Sequence, residues 1–209
     1  MKSKIIQIQG ISFKNEEISY TAPTWEEMGK YCFLLAQKVI KSDKKFDRLV
    51  TMAKGGWTWS RTMSDYLNID KVGSIQVQMY RDYVQKKRRP VLLQALPVSV
   101  KDERVLIFDD VSDTGETLAF TRKYLKMSGA KKTTVATLFF KPWSQVKPDF
   151  YMCQTKAWVI FPHEVRESIQ NIGGPWLKKG ISKKEALLRF IKIGLPKEQV
   201  EYFMGISNV

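Results

Sequence analysis

Residues 105–117, VLIFDDVSDTGET, constrain the fold of this chain more than any other stretch. Four apolar residues in succession, Val105 to Phe108, make a strand of the kind that is covered on both faces in a parallel sheet. That strand carries two adjacent carboxylates, Asp109 and Asp110, to its carboxyl end, where open α/β sheets hold ligands. A short loop of Ser112, Asp113, Thr114, Gly115, Glu116 and Thr117 then leads into a helix. The backbone N–H groups of Thr114, Gly115 and Glu116, with the hydroxyls of Ser112 and Thr117, can surround a phosphate at the positive end of that helix. Gly115 lets the backbone come close to it, and the carboxylates then lie one step away, at the distance of a sugar carrying the phosphate.

The rest of the chain agrees with an α/β sheet protein. Apolar β-branched runs alternate with amphipathic stretches, which is the pattern of βαβ units. IIQIQGISF, RLVTMA (48–53), SIQVQMY, VLLQALPV, TTVATLFF, DFYMCQ and AWVIFP read as further strands. Thr24 with Glu27 forms a capping box that opens a helix with apolar positions Met28, Tyr31, Leu35 and Val39. A helix follows Gly56 and runs to about Leu67, and Gly129 suits the left-handed residue that ends the helix after the phosphate loop. Beyond Pro162 the texture turns helical, with a second capping box at Ser182 and Glu185 and Pro196 in the first turn after Gly194. The expected organisation is a core over 1–163 and a helical extension over 164–209.

Charge narrows the partners. Thirty-five Lys and Arg against 21 Asp and Glu give +14, which calls for an anionic partner: nucleic acid, a phosphorylated metabolite or a membrane surface. No apolar run approaches the length of a membrane span, and the first twenty residues lack a signal-peptide core, so no membrane association is expected and a cytoplasmic location is. Cys32 and Cys153 sit in apolar surroundings without metal-binding neighbours and read as reduced, buried thiols. The densest cationic run holds Arg81, Lys86, Lys87, Arg88 and Arg89 against Asp82; it cannot pack in a core and reads as a solvated loop or ribbon.

The stretch from Val105 to Thr117 resembles the phosphoribosyl pyrophosphate (PRPP) motif of the type I phosphoribosyltransferases: four apolar residues, two acids, two further residues, then D-T-G-x-T. The resemblance implies an α/β fold with a mostly parallel central sheet flanked by helices, here with a C-terminal helical bundle. It also implies that Asp109 and Asp110 hold the ribose hydroxyls and help fix Mg²⁺. Residues Ser112 to Thr117 cradle the 5′-phosphate, and Asp113 moves the proton of the purine ring. Ala53, Lys54, Gly55 and Gly56 stand where the family binds pyrophosphate, with a non-proline cis bond often found at the place of Ala53–Lys54. Tyr80, Arg81, Lys86, Lys87 and Arg88 stand where a flexible loop closes over PRPP.

Two more elements resemble the base-binding part of the 6-oxopurine branch. Lys141, in FKPW, stands where a lysine donates to the ring; Trp158 and Val159, in AWVIFP, stand where an aromatic stacks on the purine and a carbonyl meets an exocyclic amine. Glu164 stands near the family's second-metal acid. The implied reaction joins PRPP to a purine base, giving a nucleoside monophosphate and pyrophosphate, in an enzyme that is usually a homodimer.

The C-terminal helices resemble those of crenarchaeal purine phosphoribosyltransferases, which favours adenine as the base and AMP as the product. Lys141 argues instead for hypoxanthine, guanine or xanthine, the alternative substrates. A rival from another class is a PRPP-sensing regulator that binds nucleic acid through the tail, since residues 165–209 carry eight Lys and Arg against four Glu. The proposed second helix, PKEQVEYFMG, has one cation and two glutamates, a poor surface for phosphates, so nucleic acid is not the expected partner.

Overall fold

The computed structural model describes residues 4–81 and 88–205. The chain divides into two compact units: residues 30–155 with the first seven, and residues 8–29 with 156–209. The boundary expected near residue 163 falls after Thr155, and the segment 8–29 joins the C-terminal part, which the sequence pattern did not suggest.

In chain order the elements are β1 (Ile6–Ile8), β2 (Tyr20–Thr21), α1 (Trp25–Ile40), β3 (Arg48–Ala53), α2 (Trp57–Tyr66), β4 (Val72–Arg81), β5 (Arg88–Gln94), β6 (Arg104–Ser112), α3 (Glu116–Met127), β7 (Lys132–Phe140), β8 (Phe150–Thr155) and β9 (Trp158–Val159). After them come α4 (Val165–Ser168), a π-helical turn (Ile169–Gly173), α5 (Gly174–Lys178), α6 (Lys183–Ile193) and α7 (Lys197–Phe203).

The first unit is built on a sheet of order β1-β8-β7-β6-β3-β4-β5 among the described residues. β3, β4, β6, β7 and β8 pair in parallel, with Arg48 opposite Val105 and Thr51 opposite Phe108 across β3 and β6. Only sides covered by helices tolerate such apolar strands, and Val105, Leu106, Ile107 and Phe108 are all fully buried. Below β6, Val50, Met52, Ile75, Leu118, Leu125 and Val135 close one face of the core. At the two ends of the expected basic loop, β4 runs to Arg81 and pairs antiparallel with β5, Tyr80 opposite Arg89. Ile75, Val77 and Leu92 turn one face of the ribbon onto the core, and charged side chains suit the edge strand β5. Lys86 and Lys87 lie outside the described residues, and Arg81 and Arg88 are described only as backbone.

In the second unit, β2 and β9 form a short parallel pair, Tyr20 opposite Trp158 and Thr21 opposite Val159. Its core gathers Trp176, Phe190, Ile193, Leu195 and Val200 from the tail around Tyr20, Ile160 and Val165. The capping box at Thr24 forms in full, Glu27 N–H donating to Thr24 Oγ1 at 3.1 Å and Thr24 N–H to Glu27 Oε2 at 2.8 Å, while at Ser182 the N-cap bond forms, Glu185 N–H to Ser182 Oγ at 3.1 Å, and the Glu185 carboxylate accepts from Arg189 instead. Gly194 turns the chain between α6 and α7 with φ of 117°. The π-helical turn, absent from the sequence-based reading, brings Gly173 against the Phe190 ring, where a Cβ would stand 3.1 Å from the ring edge.

Candidate active site

Asp109 and Asp110 stand at the carboxyl end of β6, as the motif required. Asp110 N–H donates to Asp109 Oδ1 at 3.0 Å, which folds the Asp109 carboxylate back onto the Asp110 backbone. Asp110 is only 6% exposed. Burial pushes its carboxyl up to about 6, against the pull of the Val111 N–H. Asp109 is pushed up as well, by burial and then by the neighbouring Asp110 charge. Two hard oxygen donors that repel each other when ionised form a set that a divalent cation would settle, with substrate oxygens completing its shell. Among the described residues, no group of three or more His, Cys, Asp or Glu is arranged to hold a metal by itself.

The loop after β3 meets this pair. The Ala53–Lys54 peptide bond is cis, Gly56 N–H donates to Met52 O at 2.9 Å, and Lys54 is exposed. Gly55 is where a glycine is required, because a Cβ there would lie 2.6 Å from Asp110 Oδ2. Gly56 is similarly pressed, its place for a Cβ lying 2.9 Å from the Phe108 carbonyl of β6. Since β3 and β6 are parallel neighbours, both loops emerge at the same end of the sheet.

The loop of residues 112–117 departs from expectation in two places. Ser112 does not offer its hydroxyl to a ligand: it is fully buried, 2.8 Å from Ser144 Oγ, and donates to Val146 O at 2.9 Å. The side chain of the last β6 residue points into the sheet's packing and braces the loop instead. Gly115 does adopt φ of +80° as the N-cap of α3, yet what its missing Cβ accommodates is the segment 144–146, with Ser144 Oγ at 2.6 Å and Val146 N at 2.7 Å from the place of a Cβ. Thr114 is exposed and accepts a 3.3 Å bond from Glu116 N–H, and Thr117 is half-buried in the first turn of α3.

Lys141 follows β7 and donates its N–H to Ser112 O at 3.0 Å. The residue is 4% exposed, and burial lowers its ammonium to about 8, with Asp113 pulling the other way. Trp143, which sequence reasoning quoted in the FKPW run but gave no role, donates its indole N–H to Asp113 Oδ1 at 3.1 Å. Nothing local to the sequence announces a contact across 30 positions.

Of the other expected residues, Trp158, Val159 and Glu164 belong to the second unit. Trp158 is half-exposed, Val159 is buried, and β9 is fixed by Trp158 N–H to Ser19 O at 2.7 Å and Ile160 N–H to Thr21 O at 2.8 Å. Glu164 caps its own turn, its Oε1 accepting from Phe161 N–H at 3.0 Å.

The comparisons with known proteins agree with this geometry. The chain is 35% identical to the purine phosphoribosyltransferase of Pyrococcus horikoshii Ot3, covering 68% of this chain and 92% of that one at a TM-score of 0.62. It is 25% identical over 150 residues to the xanthine-guanine phosphoribosyltransferase of Gluconobacter oxydans, covering 70% of this chain and 86% of that protein. The xanthine-guanine-hypoxanthine phosphoribosyltransferase of Helicobacter pylori shares the fold at 21% identity and a TM-score of 0.59, over 76% and 99% of the two chains. Residues 24–168 match the phosphoribosyl transferase domain, which spans both the acidic pair and the loops around it, and the chain belongs to the phosphoribosyltransferase family.

Proposed function

We propose that this chain is a purine phosphoribosyltransferase for 6-oxopurines, joining PRPP to hypoxanthine, guanine or xanthine with release of pyrophosphate and a nucleoside monophosphate. The observation that carries it is the convergence of the carboxylate pair, the glycine loop at Asp110 and the loop ahead of α3 at one end of the sheet. Thr114 to Thr117 take the 5′-phosphate on backbone N–H groups at the start of α3. Asp109 and Asp110 take the ribose hydroxyls, and Ala53 to Gly56 take the pyrophosphate. Asp109 and Asp110 would hold Mg²⁺, which would supply positive charge for the departing pyrophosphate; the Glu164 carboxylate is occupied with its own turn.

In the reaction the C1′–O bond to pyrophosphate breaks, purine N9 bonds to C1′, and the ring loses the proton on N7. Asp113 accepts that proton. Trp158 offers its face to the ring and Val159 its carbonyl. In the same reading Tyr80, Arg81, Lys86, Lys87 and Arg88 stand where the family's loop closes over PRPP.

The tail favoured adenine, but Lys141 supports the other base class. A protonated amine lowered to about 8 is still charged at neutral pH, and it donates to the carbonyl oxygen of a 6-oxopurine, where adenine presents an amine that also donates. The relatives named for xanthine and guanine support the same choice. Incubation with Mg²⁺, PRPP and each of adenine, hypoxanthine, guanine and xanthine tests it. Nucleotide from the 6-oxopurines is expected; nucleotide from adenine alone would reverse the choice of base, and none from any base would overturn the enzymatic reading. Assembly as a homodimer is part of the proposal, and light scattering reads it.

A further inference from the structure

Two backbone hydrogen bonds tie the segment after β7 to the loop after β6, and they do so in register. Lys141 N–H donates to Ser112 O at 3.0 Å and Gln145 N–H to Thr114 O at 3.0 Å, so residues on both sides of Asp113 are held by residues on both sides of Trp143. Ser144 N–H returns to Lys141 O at 3.0 Å, a tight turn that throws the Trp143 side chain outward. Ser112 Oγ and Ser144 Oγ, 2.8 Å apart, lock the base of the arrangement, and the absence of a side chain at Gly115 lets the two segments come this close.

The indole at the centre of this ladder is not held by burial. Trp143 is 54% exposed, so its ring is not a core residue. Its N–H reaches Asp113 Oδ1 at 3.1 Å, and the Lys141 ammonium lies 5.6 Å from its ring centroid. A cation over the π face fixes the ring plane and draws electron density from it, which makes the indole N–H a better donor. Among aromatic side chains with this reach, only an indole gives a donor that cannot itself accept the proton Asp113 is to receive.

We propose that Trp143 is a positioning residue for Asp113: its indole N–H holds Oδ1 and thereby presents the other carboxylate oxygen to the ring proton of the base. The role rests on the reading of Asp113 as the proton acceptor. A carboxylate at the end of a two-bond side chain otherwise samples several rotamers, and a base must stand within hydrogen-bond reach of the proton it removes.

Trp143→Phe keeps the ring and deletes the donor. In the chain assayed with Mg²⁺, PRPP and hypoxanthine, kcat should fall at least about tenfold, the size of one lost hydrogen bond to a carboxylate, with the KM values for PRPP and base nearly unchanged. In an Asp113→Asn background the same change should cost less than about twofold, because the group it positions is gone. A raised KM for the base at unchanged kcat would make Trp143 a base contact and overturn the proposal, as would equal losses in both backgrounds. A readout independent of activity is the indole ¹H–¹⁵N resonance that disappears in Trp143→Phe. It should move in Asp113→Ala, and a resonance that stays in place would refute the contact. A wild-type chain that forms no nucleotide would remove the assigned role of Asp113, and so the role of Trp143 in the reaction, even where the resonance moves.

Discussion

Replacing Asp110 with Asn should stabilise the protein while disabling it. Asp110 sits at 6% exposure beside Asp109, and its carboxyl is raised from 3.8 to about 6, with burial the larger cause. A carboxyl that binds its proton more tightly in the folded chain than in the unfolded one loses stability as pH climbs from the unfolded value to the folded one, and the loss is complete above it. A rise of about two pH units corresponds to about 3 kcal/mol at neutral pH, and relaxation around the ionised pair brings the expected gain to about 2 kcal/mol. Asn has the same shape and never ionises. In a chain of this length 2 kcal/mol is about 4–8 °C in Tm. Urea unfolding of both chains in EDTA, at pH 7.5 and at pH 4, measures it. The variant should be the more stable at pH 7.5, and the difference should vanish near pH 4, where the folded wild-type chain holds the proton. A variant no more stable at pH 7.5, or a gain that persists at pH 4, would refute the claim that buried charge at Asp110 is held at a cost. Mg²⁺ with PRPP should raise the wild-type Tm and leave the variant's nearly where it was, because the charge that costs stability is the charge the proposed ligands need.

Two further outcomes follow from other sites. Lys141 is lowered to about 8 by burial, so the folded chain sheds this proton before the unfolded one and gains stability as pH rises from about 8 toward 10; in Lys141→Met that part of the rise, read as the difference between the two urea-unfolding curves, should disappear. Phe190 is fully buried with its ring centroid 4.9 Å from that of Trp176, and Phe190→Ala should cost about 3–5 kcal/mol in urea unfolding; a loss under about 1 kcal/mol would show that the tail does not depend on this packing.

The charge of +14 resolves unevenly over the fold. Lys141 is buried beside the proposed site and Lys54 leaves β3 at the same end of the sheet as the acidic pair. Other cations are neutralised in ion pairs and leave the excess unchanged: Arg48 with Glu103 at 2.7 Å and Arg104 with Asp47 at 2.6 Å. The tail's helix α7 is seven residues long with Val200 buried, and α6 turns Ala186, Phe190 and Ile193 into the core of the second unit. That packing accounts for the buried apolar positions of the tail.

What the sequence determined by itself was whatever depends on neighbours in the chain. The strand at Val105 to Phe108, the acids at its end, the left-handed glycine at 129, and the caps at Thr24 and Ser182 are all settled by contacts within a few residues, and each stands where the pattern put it. Tertiary structure decided the rest. The hydroxyl of Ser112 turns inward because Ser144 and Val146 are there to receive it, more than 30 positions along. Gly115 is constrained by that same segment, and Trp143 reaches Asp113 only because β6 and β7 are parallel neighbours whose ends emerge together. Likewise the segment 8–29 falls with the C-terminal part because β2 pairs with β9. Hydrogen bonds across such distances have no period and no local signature; they exist only once the sheet has set which strand ends are adjacent.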